Sequence, residues 1–166
     1  MTVLRIRIEA HDLPGSTCPA VPAAHGADAD PGYRNVHVAV QRRDRPAGLL
    51  APQPGNAARA SWTLECTATP SPAGTDVTGP YVQGRPGDRF VYLSWGAVGE
   101  TGTFTMFRRA KLLLGAVPAE TLLAAVHSGL LVGRLGLTDA LGRPLCARVV
   151  PPHIAWTAPG RGQGRC

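Results

Sequence analysis

In one short segment after another of this 166-residue chain, apolar residues alternate with polar ones, and Pro or Gly closes almost every segment. A period of two turns one side of an extended chain toward a core and the other toward water, so the chain is predicted to be rich in strands. Leu4, Ile6 and Ile8 alternate with Arg5, Arg7 and Glu9 in a first strand that ends at His11-Asp12-Leu13-Pro14-Gly15. Val36, Val38 and Val40 alternate with His37 and Ala39 in a second, and Trp62–Thr67 repeats the pattern. Pro86-Gly87 is a strong turn signal. It folds a strand at about 80–85 onto another at about 89–95, placing Tyr81 opposite Tyr92 and Gln83 opposite Phe90. A longer Gly-bounded turn over 96–102 returns the chain through Thr103–Phe107. Pairing symmetric about Gly99 would set Ser94 against Phe104 and Tyr92 against Met106.

After Phe107 the period changes. Leu112, Leu113 and Leu114 lead to a break at Gly115, Pro118 suits the first position of a helix, Glu120 its first turn, and Gly129 its stop. One or two helices are therefore expected across about 107–128. Strands at Leu130–Leu137 and Leu145–Val150 follow, with Ile154 and Trp156 forming a last edge. The expected class is α+β: an antiparallel sheet of about seven to eight strands, free to curl toward a barrel, with the helices packed on one side. No βαβ alternation calls for a parallel sheet, which excludes a Rossmann arrangement. Length fits one domain over 1–156 with a full core. Pro- and Gly-rich connections lie at 16–32, 46–60 and 68–80, and the tail 157–166 is expected to be disordered.

Charge narrows the partners. The formal net charge is +6, carried by sixteen Arg and the single Lys111 against eleven acids. The surplus sits in the second half and the tail. It suggests an acidic partner, though nucleic-acid binders show denser basic stripes. Cys18, Cys66, Cys146 and Cys166 lie far apart without a C-x-x-C, which fits free thiols in a reducing compartment. Charges already alternate within Thr2–Arg7, unlike a signal-peptide core, and no apolar run approaches a membrane span. The expected location is the cytoplasm, with no membrane partner.

Six of the nine aromatic residues fall between Tyr81 and Phe107, with Arg85, Arg89, Arg108 and Arg109 around them. One face of the inferred hairpins gathers Val82, Val91, Leu93, Trp95 and Phe107, the composition of a core. The other gathers Tyr81, Gln83, Phe90, Tyr92, Ser94, Phe104, Met106 and Arg108. Aromatic surface beside a few amide, hydroxyl and guanidinium groups is how ligand pockets are lined. Burying a Phe or Met side chain stabilises by roughly 1.5–3 kcal/mol, so either this face lines a pocket or helix 118–128 covers it. Arg108, Arg109 and Lys111 stand where strand was expected to become helix, an arrangement suited to an anion. The alternative is pairing with Asp88 or Glu100.

Other chemistry has less support. No His or Cys spacing matches a metal site, Ser94 is not on a Gly-x-Ser-x-Gly elbow, and Gly133-Arg134-Leu135-Gly136 lacks the P-loop pattern. No metal and no cofactor is expected. The string GPYVQGRPGDRFVYLSWG, followed by GTFTMFRRAKL, GLLVGRLGLTD and CARV before the Pro151-Pro152 pair, resembles an uncharacterised bacterial family of unknown function found mainly in actinobacteria. The resemblance runs from Leu4–Glu9 through Trp156 and brings no functional residues with it. The residues themselves predict a domain that binds a small anionic metabolite. Tyr81, Tyr92, Phe104 and Met106 would form its walls, Gln83 and Ser94 would orient the ligand, and Arg108 with Arg109 or Lys111 would supply countercharge. An enzyme acting on such a metabolite, with Asp88 or His37 as base, is the first alternative. A module for single-stranded nucleic acid and an adaptor for a protein partner follow.

Overall fold

The structure is a computed structural model and describes residues 1–11, 36–44, 49–50, 59–72, 74–98, 104–136 and 153–159. Among them lie ten strands and one α-helix. In chain order these are β1 (Thr2–His11), β2 (Val36–Gln41), β3 (Leu49–Leu50), β4 (Arg59–Ser71), β5 (Gly74–Thr78), β6 (Val82–Gln83), β7 (Phe90–Val98), β8 (Phe104–Leu113), α1 (Ala119–Ser128), β9 (Leu130–Gly136) and β10 (His153–Thr157). A 3-10 turn, Leu114–Ala116, joins β8 to α1. The α+β class expected from the sequence is what forms. Instead of one sheet, the strands build two five-stranded sheets. The first has the order β10-β9-β1-β4-β5; the second runs β3-β2-β7-β6, with β8 also paired to β7.

Strand β1 is the axis of the first sheet. It runs antiparallel to β4, with Ile6 opposite Leu64 and Ile8 opposite Trp62. On its other side it runs parallel to β9, with Ile6 beside Leu131. This parallel pair departs from the all-antiparallel expectation. Its cause is the crossover: the chain leaves β8 through the 3-10 turn and α1, which returns it in the same direction as β1. Helix α1 packs against β9, β1, β10 and β5. Its ends are as the sequence predicts. Pro118 precedes the first turn, and Gly129 closes the helix in the left-handed region at φ 76°, where a side chain would be strained.

The two sheets share one core. Leu4, Ile6, Ile8, Trp62, Leu64, Leu131 and Leu135 come from the first, and Val40, Val82, Val91, Leu93 and Leu112 from the second. In the second sheet the apolar row Val82–Val91–Leu112 crosses β6, β7 and β8 at one level. On the far side of the first sheet Arg7 and Arg134 both pair with Glu9, at 2.8 and 3.4 Å.

Three other expectations change. Residues 107–113 belong to β8, not to a helix, and over 111–114 burial has period two: Lys111 and Leu113 are exposed while Leu112 and Leu114 are buried. The connection at 68–80 is largely ordered strand, since β4 continues to Ser71 and β5 pairs back on it from Gly74 to Thr78. The loop at 46–60 contains β3, which pairs with β2. Predictions for 16–32, for Leu145–Val150 and for the tail beyond residue 159 lie outside the described residues.

Gly133 sets how β10 lies on β9. A Cβ there would sit 2.7 Å from the Trp156 ring and 2.9 Å from the end of Ile154, so both side chains lie directly on its bare backbone. Gly133→Ala forces the indole aside, an overpacking that costs about 1–3 kcal/mol. Urea unfolding should show the lower midpoint, together with a shifted indole emission maximum in the native baseline.

Candidate functional site

The predicted face takes shape on β6, β7 and β8. Phe90, Tyr92 and Ser94 point the same way along β7, opposite to the core residues Val91 and Leu93. In register Gln83 pairs with Phe90, Lys111 with Tyr92 and Ala39 with Ser94. The Phe90 and Tyr92 rings meet edge to face at 4.8 Å between centroids. The Lys111 ammonium lies over both, 4.6 Å from the centre of Phe90 and 5.8 Å from that of Tyr92. An ammonium over aromatic faces is held by their quadrupoles, and among the described residues no carboxylate pairs with it.

Two polar groups on this face lack partners. The Ser94 hydroxyl is fully buried with no hydrogen bond, and the Gln83 side-chain nitrogen is buried in the same condition. Leaving a buried donor unpaired costs about 1–3 kcal/mol. Tyr81 lies just before β6, half-buried against the core, and interacts with Arg42, whose main partner is Asp44 at 2.5 Å. The possibility that helix 118–128 covers the face does not hold, because α1 packs on the first sheet.

The register of β8 corrects the rest of the predicted set. Ser94 pairs with Arg109 and Tyr92 with Lys111, not with Phe104 and Met106. Phe104 pairs with Val98, Met106 with Gly96 and Arg108 with Trp95, and a bulge between Trp95 and Gly96 leaves Phe107 unmatched. That extra residue and the longer strand move the hairpin off its expected centre. Arg108, Arg109 and Lys111 thus sit within a strand, and the anion site expected at a helix start does not exist there. The side chains of Phe104, Met106, Arg108 and Arg109, like that of His37, lie outside the described ones.

The sequence reading missed Asp76. Arg89 donates from Nε and one terminal nitrogen to both oxygens of Asp76, each at 2.8 Å, and from its other nitrogen to the Gly84 carbonyl. The backbone N–H of Leu114 in turn donates to the Arg89 carbonyl at 2.8 Å. These bonds fix the start of β7 immediately before Phe90. The turn between β6 and β7 depends on glycine. Gly84 has φ +87°, and a Cβ there would collide with the Asp88 carbonyl at 2.1 Å. Asp88 itself is exposed, its N–H bonded to the Arg85 carbonyl at 2.9 Å. Cys66 is buried in β4, and burial pushes its thiol up to about 12. It is therefore protonated and unreactive at neutral pH. Among the described residues no cluster of three His, Cys, Asp or Glu could hold a metal, and no helix is long and apolar enough to cross a membrane.

The chain is thus a two-sheet α+β domain whose second sheet carries aromatic rings, a fixed ammonium and unpaired polar groups on the side away from the shared core. Residues 4–159 match the family of unknown function DUF5990, and the chain belongs to that family. No curated protein and no solved structure matches it.

Two measurements check the electrostatics. Hydrogen bonding to Arg89 holds the Asp76 carboxyl below its ordinary value. A carboxyl depressed on folding contributes stability that is complete above its unfolded value of about 4 and is lost as pH falls through the folded value. Asp76→Asn should therefore lower the melting temperature at pH 7 and narrow its difference from wild type below about pH 4. For Cys66, alkylation at pH 8 followed by peptide mass spectrometry should leave the native thiol unmodified and label it fully in urea.

Proposed function

We propose that this domain binds a small anionic metabolite on the outer face of β6, β7 and β8. The observation that carries this reading is the pair of buried, unpartnered polar groups, Gln83 and Ser94, flanking an ammonium held over two rings. Gln83 stands beside Phe90, and Ser94 is four residues further along β7. The two groups are therefore separated by about 13 Å at the rise of a strand, the length of a small phosphorylated or carboxylated metabolite. A planar apolar part would lie along Tyr92. Gln83 and Ser94 would hydrogen-bond its ends. Lys111 supplies countercharge near the middle, and Arg109 stands beside Ser94 in register, whereas Arg108, paired with Trp95, alternates to the other side of β8. The free, buried thiol of Cys66 suits a protein of the cytoplasm.

Stacking of nucleic-acid bases is supported less well, because the Phe90 ring is itself buried under Lys111. For an enzyme the described residues offer no activated nucleophile: Cys66 is protonated, and the Ser94 hydroxyl has no base within hydrogen-bond reach.

The test is a thermal-shift screen of anionic metabolites. At least one should stabilise wild type, and Lys111→Met should weaken it about ten- to a hundredfold, the worth of a charge-assisted bond of about 1.5–3 kcal/mol. Ser94→Ala should act in opposite directions on stability and binding. Removing an unpaired buried hydroxyl leaves the free protein as stable or more so, while the ligand is held less tightly. If no anion stabilises wild type, or one does so equally in all three proteins, the reading fails. Binding to a labelled single strand that falls steeply with salt would replace it with the nucleic-acid alternative.

A further inference from the structure

Away from the aromatic face, a groove of about 450 Å³ opens between β5, the Gly84–Arg89 turn, the 3-10 turn and the first turns of α1. That volume falls within the range of small-molecule sites. Its floor is apolar: Val77, Leu114 and Val117 line it and are buried in the core. Leu122 and Leu123 of α1 add to the wall, and Leu123 keeps 56% of its surface exposed, one of few large apolar side chains so open among the described residues. Glycines leave the rest of the wall bare. A Cβ at Gly74 or Gly87 would meet nothing within 4 Å.

The polar edge of the groove is the Asp76–Arg89 pair, and its chemistry selects the ligand. Three of the guanidinium's five N–H groups are engaged, two by Asp76 and one by the Gly84 carbonyl. The other two are available, but Asp76 cancels the charge. A ligand carboxylate would meet no net positive charge and would lie against a second carboxylate. An uncharged oxygen acceptor meets neither obstacle. We infer that this groove is a second binding site, independent of the aromatic face, for an uncharged and mostly apolar small molecule bearing a carbonyl or amide oxygen.

The probe is Nile red, an uncharged dye with a ring carbonyl whose emission rises in apolar surroundings, titrated against the full chain. Emission should saturate at one dye per chain. Leu123→Glu changes an exposed position and should fold. Gly115→Leu places a side chain in the groove from a backbone with ordinary φ, its Cβ 3.4 Å from the Gly87 carbonyl. Each should weaken the dye by about tenfold or more, whereas Val3→Glu, at an exposed position outside the groove, should not. In competition, decanamide should displace the dye at least about tenfold more tightly than decanoate at pH 7, because the carboxylate loses its hydration without gaining a free cation. The proposal is overturned if binding does not saturate, if Leu123→Glu leaves the affinity unchanged, or if decanoate matches decanamide. Should Gly115→Leu fail to fold, Leu123→Glu alone decides the location.

Discussion

Everything in this domain is arranged around the buried face of β1. Leu4, Ile6, Ile8 and Ala10 have no exposed surface, and each large side chain among them contributes roughly 1.5–3 kcal/mol by leaving water. That face can be fully covered only because β1 is paired on both sides, by β4 and by β9. The second pairing requires α1 as a crossover, and the crossover in turn brings the 3-10 turn and the start of the helix alongside β5. A one-residue slip of β1 would turn Arg5, Arg7 and Glu9 into the core, so the register is strongly determined. The second sheet then packs Val91, Leu93 and Leu112 onto the same core. Its opposite face carries Gln83, Phe90, Tyr92, Ser94 and Lys111, with Phe90 and Ser94 themselves buried.

The two polar regions of the second sheet and its neighbours differ in how completely they are paired. Arg89 and Asp76 neutralise one another and, with the Gly84 carbonyl, hold the β6–β7 turn, leaving two guanidinium N–H groups unengaged. Gln83 and Ser94, a few residues away, are buried and open. Folded proteins pair nearly all their buried polar groups, so open ones on an aromatic wall are more informative than any charge cluster in the chain. Two indole N–H groups, of Trp62 and Trp156, are also buried without partners. They stand at the ends of one row, Trp62–Ile8–Gly133–Trp156, that crosses four strands of the first sheet.

Local signals were legible in the sequence and long-range ones were not. The alternation of β1, the Pro86-Gly87 turn with Gln83 opposite Phe90, and the Pro118 and Gly129 bounds of α1 all depend on neighbours in the chain. The end of β8 was hidden because its exposed position, Leu113, is as apolar as the buried Leu112 and Leu114, so composition masked the period of two. The β7–β8 register was hidden by a bulge, which no spacing announces. Asp76 was passed over because β5 has only Val77 to mark its buried side, and its ionic partner comes thirteen residues later. The parallel contact of β1 with β9 joins the two ends of the domain. Of the candidate site, the central residues Gln83, Tyr92, Ser94 and Lys111 do lie on one face; the proposed helix-end cation cluster did not survive the correct register.

The pairing of β1 with β9 also dictates an order of events during synthesis. Glu9 and Arg134, neighbours in the finished sheet, are 125 residues apart in the chain. At ribosomal rates of about 5–20 residues per second, β1 waits roughly 6–25 seconds for its second partner. The hairpins of the second sheet, with close partners, can form in that interval. β1 can meet β4 midway, but one edge of it stays unpaired until α1 has emerged and turned the chain back. A nascent chain of this family therefore carries an apolar strand with an open edge through most of its translation, and the ribosome-bound chain is the stage at which it is most exposed to aggregation and to chaperones.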